Sequence, residues 1–286
     1  MLLYVFDAFR IGAAASDDGT LVDVTDVLTA EVAPIDRMSA LVEGWPTLAE
    51  SVAEAIRRGE SVRLDEVVLR PPQPRPGKVI AAPVNYRLHR DEMADMYRTA
   101  TIATIETYLG FIKASSSIAG PSDHIEIPFA DRRVDHEAEV GIVIGPRARR
   151  VRAEDALDHV FGYVPLLDIT VRGDEDRSWR KSLDTFTPIG PAIVTADHVP
   201  DPGDIDFRLT VNGEVKQEAN TRDLIYSIPR LVEVYSDGMT LESGDIIATG
   251  TPEGVGPIRP GDEIRLTIDG IGELTMPVRA REPATV

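Results

Sequence analysis

Two glutamates, Glu137 and Glu139, stand two residues apart at the head of an apolar run. In a β-strand, residues at this spacing project from the same face, which brings the two carboxylates together. Such a pair repels itself unless a proton or a cation lies between its members, and burial raises that cost. A hard divalent metal with oxygen ligands would resolve the repulsion. The alternative is a solvated edge strand, because acidic residues are common in this chain.

An aspartate closes a second apolar run, which covers residues 163–167. Asp168 at this position is either a third ligand for the same metal or the cap of a turn. The residue type suits both interpretations, and the spacing leaves both open.

A histidine and a glutamate, His89 and Glu92, lie three residues apart in a stretch with helical character. On a helix they share a face, so the carboxylate can hold and polarise the imidazole. Such a pair is a plausible general base for activating water. An ordinary surface pair on a polar helix is the alternative.

Short strand-like runs separated by Gly, Pro and Asp dominate the chain from residue 78 onward. This pattern favours an α+β, mainly β fold built as an antiparallel sandwich, roll or barrel. Asn212-Gly213 is a hairpin signal. Helices are predicted over about 86–109 and 225–236. The strand-like runs are 79–82, 125–127, 137–144, 163–169, 192–195, 207–211, 246–249, 263–268 and 272–277.

Residues 1–69 have the character of a small unit of their own. Residues 2–5 and 20–24 predict strands, and residues 39–58 predict a helix that Gly59 ends. Four prolines then fall within residues 71–76, which excludes regular structure. We therefore expect a small N-terminal domain over 1–69, a Pro-rich linker over 70–77 and a second domain over 78–286. A rigid surface loop within one domain is the alternative reading of 70–77.

The composition excludes several classes of function. The chain carries 48 acidic and 30 basic residues, a net charge of -18, so it repels nucleic-acid backbones and anionic membranes. It has no cysteine, which excludes disulfides and thiolate chemistry. An anionic substrate would therefore need positive charge concentrated locally, on a metal ion or on a few Lys and Arg. No run is long enough for a signal peptide or a membrane span, so a cytoplasmic location is expected.

Five motifs in order make residues 78 to about 280 resemble the fumarylacetoacetate hydrolase superfamily. Each motif is weak alone, but five in sequence are highly specific. The first 70 residues are also similar to the smaller N-terminal domain of many members. The motifs are Asn-Tyr-x-x-His-x-x-Glu at 85–92, Glu-x-Glu at 137–139, Asp-x-Thr-x-Arg at 168–172, Lys-Ser-x-Asp-Thr-Phe-x-Pro-x-Gly-Pro at 181–191 and Ala-Thr-Gly-Thr-Pro-x-Gly-Val-Gly at 248–256.

The resemblance implies a fold and a role for each matching residue. It implies a mixed β-sandwich or β-roll catalytic domain behind a small α/β domain, and a homodimer. The implied cofactor is a divalent cation, usually Mg²⁺ or Mn²⁺ and sometimes Ca²⁺. By resemblance, the ligands of this cation are Glu137, Glu139 and Asp168. The resemblance also implies that His89 and Glu92 form a catalytic dyad on a mobile lid. Lys181 and Arg172 would be the charged groups that meet the substrate's oxygens, and Thr251 a further substrate contact.

The same resemblance implies hydrolysis of a C–C bond in a small acylpyruvate-type 2,4-dioxo acid, such as fumarylpyruvate or fumarylacetoacetate. Water activated by the dyad would attack the distal carbonyl, and the metal would stabilise the enolate. Three alternatives stay open: an oxaloacetate-type decarboxylase, a 2-hydroxymuconate or hepta-2,4-diene-1,7-dioate-type isomerase, and a non-catalytic ligand-binding homologue.

Two features depart from the commonest family pattern. Gly173 and Glu175 stand where many members have Asp and Gln, and the stretch 168–181 is shorter than usual. This stretch borders the expected pocket, so the departures leave the identity of the 2-oxo acid open. Lys113 also lies in a recurrent family segment, and we expect it to serve packing and sheet closure.

Overall fold

The computed structural model describes residues 1–29, 31–97 and 102–282, and the side chains of 95–97 are outside that description. The helices are α1 (Arg37–Arg58), α2 (Arg87–Tyr97), α3 (Ile105–Tyr108), α4 (Arg177–Arg180) and α5 (Ile228–Gly238). The strands are β1 (Leu2–Phe6), β2 (Arg10–Ala14), β3 (Thr20–Asp23), β4 (Ser61–Arg63), β5 (Leu69–Arg70), β6 (Val79–Ala81), β7 (Phe111–Lys113), β8 (Ile118–Ala119), β9 (Ile125–Ile127), β10 (Val134–His136), β11 (Ala138–Ile144), β12 (Val160–Leu167), β13 (Thr170–Val171), β14 (Thr187–Pro188), β15 (Ile193–Thr195), β16 (Asp206–Val211), β17 (Glu214–Asn220), β18 (Ile246–Ala248), β19 (Gly256–Ile258), β20 (Glu263–Ile268) and β21 (Gly272–Ala280).

The elements confirm the predicted α+β, mainly β class. All nine strand-like runs expected after residue 78 overlap strands, and most strand pairs are antiparallel. The predicted hairpin forms between β16 and β17, where Asn212 and Gly213 adopt φ values of 53° and 82°. Asn and Gly tolerate this left-handed backbone, which is why they mark such turns.

The largest sheet runs in the order β4-β3-β2-β1-β15-β12-β11-β18-β6-β7, with β5 paired to β1. Strand β1 pairs antiparallel with β15, so the strands of residues 1–69 continue the sheet of the later strands. The division into a domain over 1–69, a linker over 70–77 and a domain over 78–286 stays a prediction.

Strands β11 and β12 form the centre of this sheet, and every residue in both is buried. Alternate residues of β11 face different cores because successive strand residues point to opposite faces. Ile142 packs in the core shared with β20 and β21, whereas Val143 packs in the core shared with α1. A second sheet, β17-β16-β20-β21-β9, forms the other wall of the first core. Burial on both faces explains the near-continuous apolar runs of the sequence.

Two predicted helices differ from those observed. The helix expected over 86–109 is not continuous, because residues 102–104 are non-helical and Thr104 is extended. The helix expected from residue 225 begins only at Ile228, and the backbone N–H of Ile225 donates to the Asn85 carbonyl at 2.7 Å. Among the described residues, no helix is both long and apolar enough to cross a membrane.

Candidate active site

Three acidic residues meet where β11 and β12 run side by side. Glu137 lies between β10 and β11, and Asp168 directly follows β12. Ala138 pairs with Leu167 across the two strands, and the Asp168 N–H donates to the Glu137 carbonyl at 2.9 Å. This register brings one carboxylate oxygen each of Glu137, Glu139 and Asp168 within 4.8 Å of one another, and all three residues are buried.

Cationic side chains surround these carboxylates. Lys181 donates to Glu137 Oε2 at 2.7 Å and to Asp168 Oδ2 at 2.6 Å. Arg172 donates through Nη2 to Glu137 Oε1 at 3.2 Å and through Nε to Asp135 Oδ2 at 2.6 Å. Both cations that sequence reasoning assigned to substrate oxygens therefore contact the carboxylates.

Lys113 belongs to the same cluster, although sequence reasoning assigned it to packing. It is fully buried on β7, and its Nζ donates to Asp168 Oδ1 at 2.5 Å and to the Phe186 carbonyl at 3.1 Å. It also donates to the Lys181 carbonyl. The sequence feature that could have indicated this role is a lysine between the apolar residues Ile112 and Ala114. A lysine buried in a strand needs a counter-charge, which predicts a nearby carboxylate.

The two glutamates differ in their affinity for a proton. Burial opposes ionisation of Glu137, but the charges of Lys181, Arg172 and His89 outweigh it and lower its pKa to about 2. Burial and the neighbouring charge of Asp168 raise the pKa of Glu139 well above its usual value. Of the two glutamates, Glu139 is thus the one whose negative charge is less compensated by neighbouring cations.

His89 and Glu92 form the expected pair on α2. His89 Nδ1 lies 3.0 Å from Glu92 Oε2, and the Gly254 N–H donates to Glu92 Oε1 at 3.0 Å. Burial raises the pKa of Glu92, but the bonds from His89 and Gly254 outweigh this and lower it overall. In the tautomer whose Nδ1 carries the proton and donates it to Glu92, Nε2 is the nitrogen that can accept a proton. Mobility of this segment as a lid stays a prediction.

One cavity of about 300 Å³ joins these groups. Seven of the eight residues singled out in the sequence line it, and the eighth, Glu92, contacts the cavity-lining His89. Thr251 accepts a hydrogen bond from Gln217 Nε2 at 2.8 Å, and Gln217 Oε1 accepts one from the Ala138 N–H at 2.9 Å. Gln217 thereby ties the Gly-rich loop to the start of β11. Its spacing in the sequence carried no such signal.

The unusual segment after Arg172 is tightly packed. Arg132 donates to both carboxylate oxygens of Glu175 at 2.8 Å and to the Arg172 carbonyl at 2.9 Å. A Cβ atom on Gly173 would lie 2.1 Å from Arg132 Nη2 and 2.3 Å from Glu175 Oε2. Glycine at 173 therefore makes room for the Arg132–Glu175 pair. Gly173 and Glu175, the two residues that differ from the family pattern, thus belong to one arrangement.

Comparison with known proteins gives consistent matches. The family model described as Fumarylacetoacetate (FAA) hydrolase C-terminal matches residues 78–279. Maleylpyruvate hydrolase of Aquipseudomonas alcaligenes is 41% identical over 283 residues, which is 96% of this chain and 98% of that protein. An oxaloacetate tautomerase of Bacillus subtilis is 42% identical over 228 residues, 74% of this chain and 73% of that protein. The crystal structure of maleylpyruvate hydrolase from Sphingobium sp. SYK-6, in complex with manganese(II) and pyruvate, matches with a TM-score of 0.88 and 40% identity over 99% of this chain and 100% of that chain.

Proposed function

The chain belongs to the fumarylacetoacetate hydrolase family, and from this premise we propose that it hydrolyses a C–C bond of a maleylpyruvate-type 2,4-dioxo acid. The family and the fold predicted from the five motifs are confirmed. One observation carries the proposal: three buried carboxylates and the His89–Glu92 pair converge on a single cavity. A hydrolase of this class needs both a cation site and a base for water.

We assign Glu137, Glu139 and Asp168 to a divalent cation, Mn²⁺ or Mg²⁺, with Ca²⁺ as a further possibility. The donor set fits, because all three ligands are buried carboxylates, which hard dications prefer. Among the described residues, Glu139 accepts a hydrogen bond on only one oxygen, from the Gly250 N–H at 2.7 Å. When bound, the dication supplies positive charge that stabilises the negative charge developing on the 2-oxo acid as the C–C bond breaks.

The residues of the chain supply the proton chemistry. With its Nδ1 proton held by Glu92, His89 takes a proton from water on Nε2. The resulting hydroxide attacks the carbonyl carbon C4 of the substrate, and Lys181 stabilises the negative oxygen that forms there. The C3–C4 bond then breaks, its electron pair stays with the 2-oxo acid fragment, and the His89 proton is returned to C3. The products are one carboxylic acid and one 2-oxo acid.

The alternatives on this site are a decarboxylase, an isomerase and a tautomerase. Hydrolysis needs a base for water, which the His89–Glu92 pair supplies, although the same pair would also serve the proton transfer of an isomerase or a tautomerase. Over nearly the whole chain, identity is 40–41% with the two maleylpyruvate hydrolases, against 30–34% with three isomerases and 32% with an oxaloacetate tautomerase of Xenopus laevis. A non-catalytic binding protein is disfavoured because all the residues expected to act are present around one cavity.

Pyruvate release tests the proposal. The purified protein is assayed with Mn²⁺ or Mg²⁺ against maleylpyruvate, fumarylpyruvate, acetylpyruvate and oxaloacetate, with lactate dehydrogenase as the coupling enzyme. We expect metal-dependent pyruvate release from the 2,4-dioxo acids that excess chelator abolishes. Pyruvate release from oxaloacetate alone would assign the site to decarboxylation instead.

We also propose a cytoplasmic homodimer. Two-fold dimers are the commonest assembly of soluble proteins. Light scattering should then give twice the monomer mass of 31.2 kDa. A mass equal to that of the monomer at micromolar concentration would contradict the dimer.

A further inference from the structure

Arg177, the first residue of α4, is a cation of the cavity that the chemistry above does not use. Its side chain lines the same cavity as the three carboxylates. The guanidinium carbon lies 4.6 Å from the ring centre of Tyr108 and 5.7 Å from that of Phe111. Among the residues that the structure describes, none forms an ion pair with Arg177. Two aromatic rings therefore hold a guanidinium group that has no carboxylate partner within the described part of the chain.

The other three cations of the cavity wall have partners within the protein. Lys181 bridges two carboxylates, and Arg172 donates to Asp135 and to one of the same carboxylates. Arg180 donates from Nε to the Glu175 carbonyl at 2.8 Å. This contrast singles out Arg177 as the group that can receive an anion from outside the protein.

The charges of the cavity wall also favour a second anion. Four cationic side chains and three carboxylates line the cavity, so a bound dication would leave it with a large positive excess. A substrate with one carboxylate neutralises little of this excess, whereas a dicarboxylate neutralises more of it. In a chain of net charge -18, such a local excess is a feature of the site and not of the surface as a whole.

The position of Arg177 suits the far end of a small substrate. Both cations lie near the Phe111 ring, with Lys181 Nζ 5.5 Å from its centre and the Arg177 guanidinium carbon 5.7 Å from it. The two cationic groups are therefore at most about 11 Å apart, and both lie beside a ring of the kind that attracts cations. A linear 2-oxo acid bound beside Lys181 would extend its chain along Phe111.

We propose that Arg177 binds a second carboxylate of the substrate, at the end remote from the 2-oxo group, and so selects dicarboxylic 2,4-dioxo acids. The planar guanidinium fork binds a carboxylate through two parallel hydrogen bonds, and the flanking rings fix its plane. The inference rests on the proposed function, because it names the substrate class of the same site.

Two uncleavable ligands of equal length test this assignment. Both 2-oxoheptanedioate and 2-oxoheptanoate lack the 4-oxo group that hydrolysis needs, and they differ only in the second carboxylate. Calorimetric titration of the Mn²⁺-loaded protein measures the ratio of their affinities. We expect wild-type protein to favour the dicarboxylate by about 10- to 100-fold, the range of a charge-assisted hydrogen-bonded pair. Because neither ligand is cleaved, the result stands even if hydrolysis of the dioxo acids is not observed.

Variants then locate the preference. Arg177→Met should bring the affinity ratio close to one and leave 2-oxoheptanoate binding nearly unchanged. The matched control is Arg208→Met, which removes an exposed arginine on β16 and should keep the wild-type ratio. Arg177→Lys keeps the charge and the long stem but loses the fork, and should lower the ratio at least about threefold. A ratio near one in wild-type protein, or an unchanged ratio in either Arg177 variant, would overturn the proposal.

Discussion

Replacement of Lys113 by methionine tests the charge balance of the site. Methionine keeps the length of the side chain but removes the buried charge and its bonds to Asp168, Phe186 and Lys181. Removing one partner of a buried ion pair costs about 3–5 kcal/mol. Because Lys181 still donates to Asp168 at 2.6 Å, we expect the lower end of that range, about 3 kcal/mol. For a chain of 286 residues, such a loss lowers Tm by about 5 °C.

The metal dependence of the same variant is the sharper measurement. In Lys113→Met, Asp168 keeps its negative charge with one cation fewer beside it, so it attracts a dication more strongly. We expect Mn²⁺ to bind about tenfold more tightly than to wild type, which adds about 1.4 kcal/mol of stabilisation at saturating metal. Thermal unfolding with and without Mn²⁺ measures both effects, and isothermal titration gives the affinity directly.

Lys78 offers the matched control. It pairs with Asp245, which is also buried, but the pair lies away from the cavity wall. Lys78→Met should lower Tm without changing the gain that Mn²⁺ provides. If Mn²⁺ raises the Tm of Lys113→Met no more than that of Lys78→Met, then Asp168 does not share its charge between Lys113 and the metal, and the reasoning is wrong.

Four further predictions concern the acidic ligands and the base. Glu137→Ala should abolish Mn²⁺ binding by calorimetry and all turnover, while circular dichroism shows a folded protein; full activity would exclude the site. Burial and Asp168 raise the pKa of Glu139, so Mn²⁺ binding should release more protons as pH falls; binding enthalpies that do not depend on the ionisation enthalpy of the buffer at any pH would contradict this. Burial opposes ionisation of Glu137, but its neighbours, Lys181 above all, lower its pKa to about 2 from 4.5. The stability that this ionised group adds is therefore complete above pH 4.5 and is lost as pH falls toward 2. Glu137→Gln should not show this loss of stability in an acid-unfolding experiment. His89→Ala should slow hydrolysis by roughly 10²–10⁴-fold, keep Mn²⁺ affinity and affect oxaloacetate turnover less; loss of Mn²⁺ binding would refute its role.

Local spacing predicted the parts of the site that lie close together along the chain. Glu137 and Glu139 are two residues apart, and His89 and Glu92 are three apart, so strand and helix periodicity bring each pair together. Asp168 was harder, because its place beside Glu137 depends on the register between β11 and β12. That register follows from two buried strands that pair along their whole length. The apolar runs of the sequence indicated the two strands but did not determine which of their residues pair.

Contacts over long sequence distances were not predictable from the pattern. Lys113 is 55 residues from Asp168, and Gln217 is 79 residues from Ala138, yet each is a close partner. A buried lysine or glutamine has the same sequence signature whether it supports a site or closes a sheet. The pairing of β1 with β15 is of the same kind, because no local feature of the first 69 residues shows which later strand they join.

The placement of Lys113 and Lys181 explains how the protein can build an acidic site in an acidic chain. Three buried carboxylates would repel one another strongly without a cation. Lys113, Lys181 and Arg172 form ion pairs with Asp168 and Glu137, so these two charges are compensated before any metal arrives, whereas Glu139 has no ion-pair partner among the described residues. A bound dication would then pair with the charge of Glu139 and leave a positive excess beside the substrate. A 2-oxo acid developing a second negative charge during C–C cleavage neutralises that excess, so the cluster favours the transition state over the bound substrate.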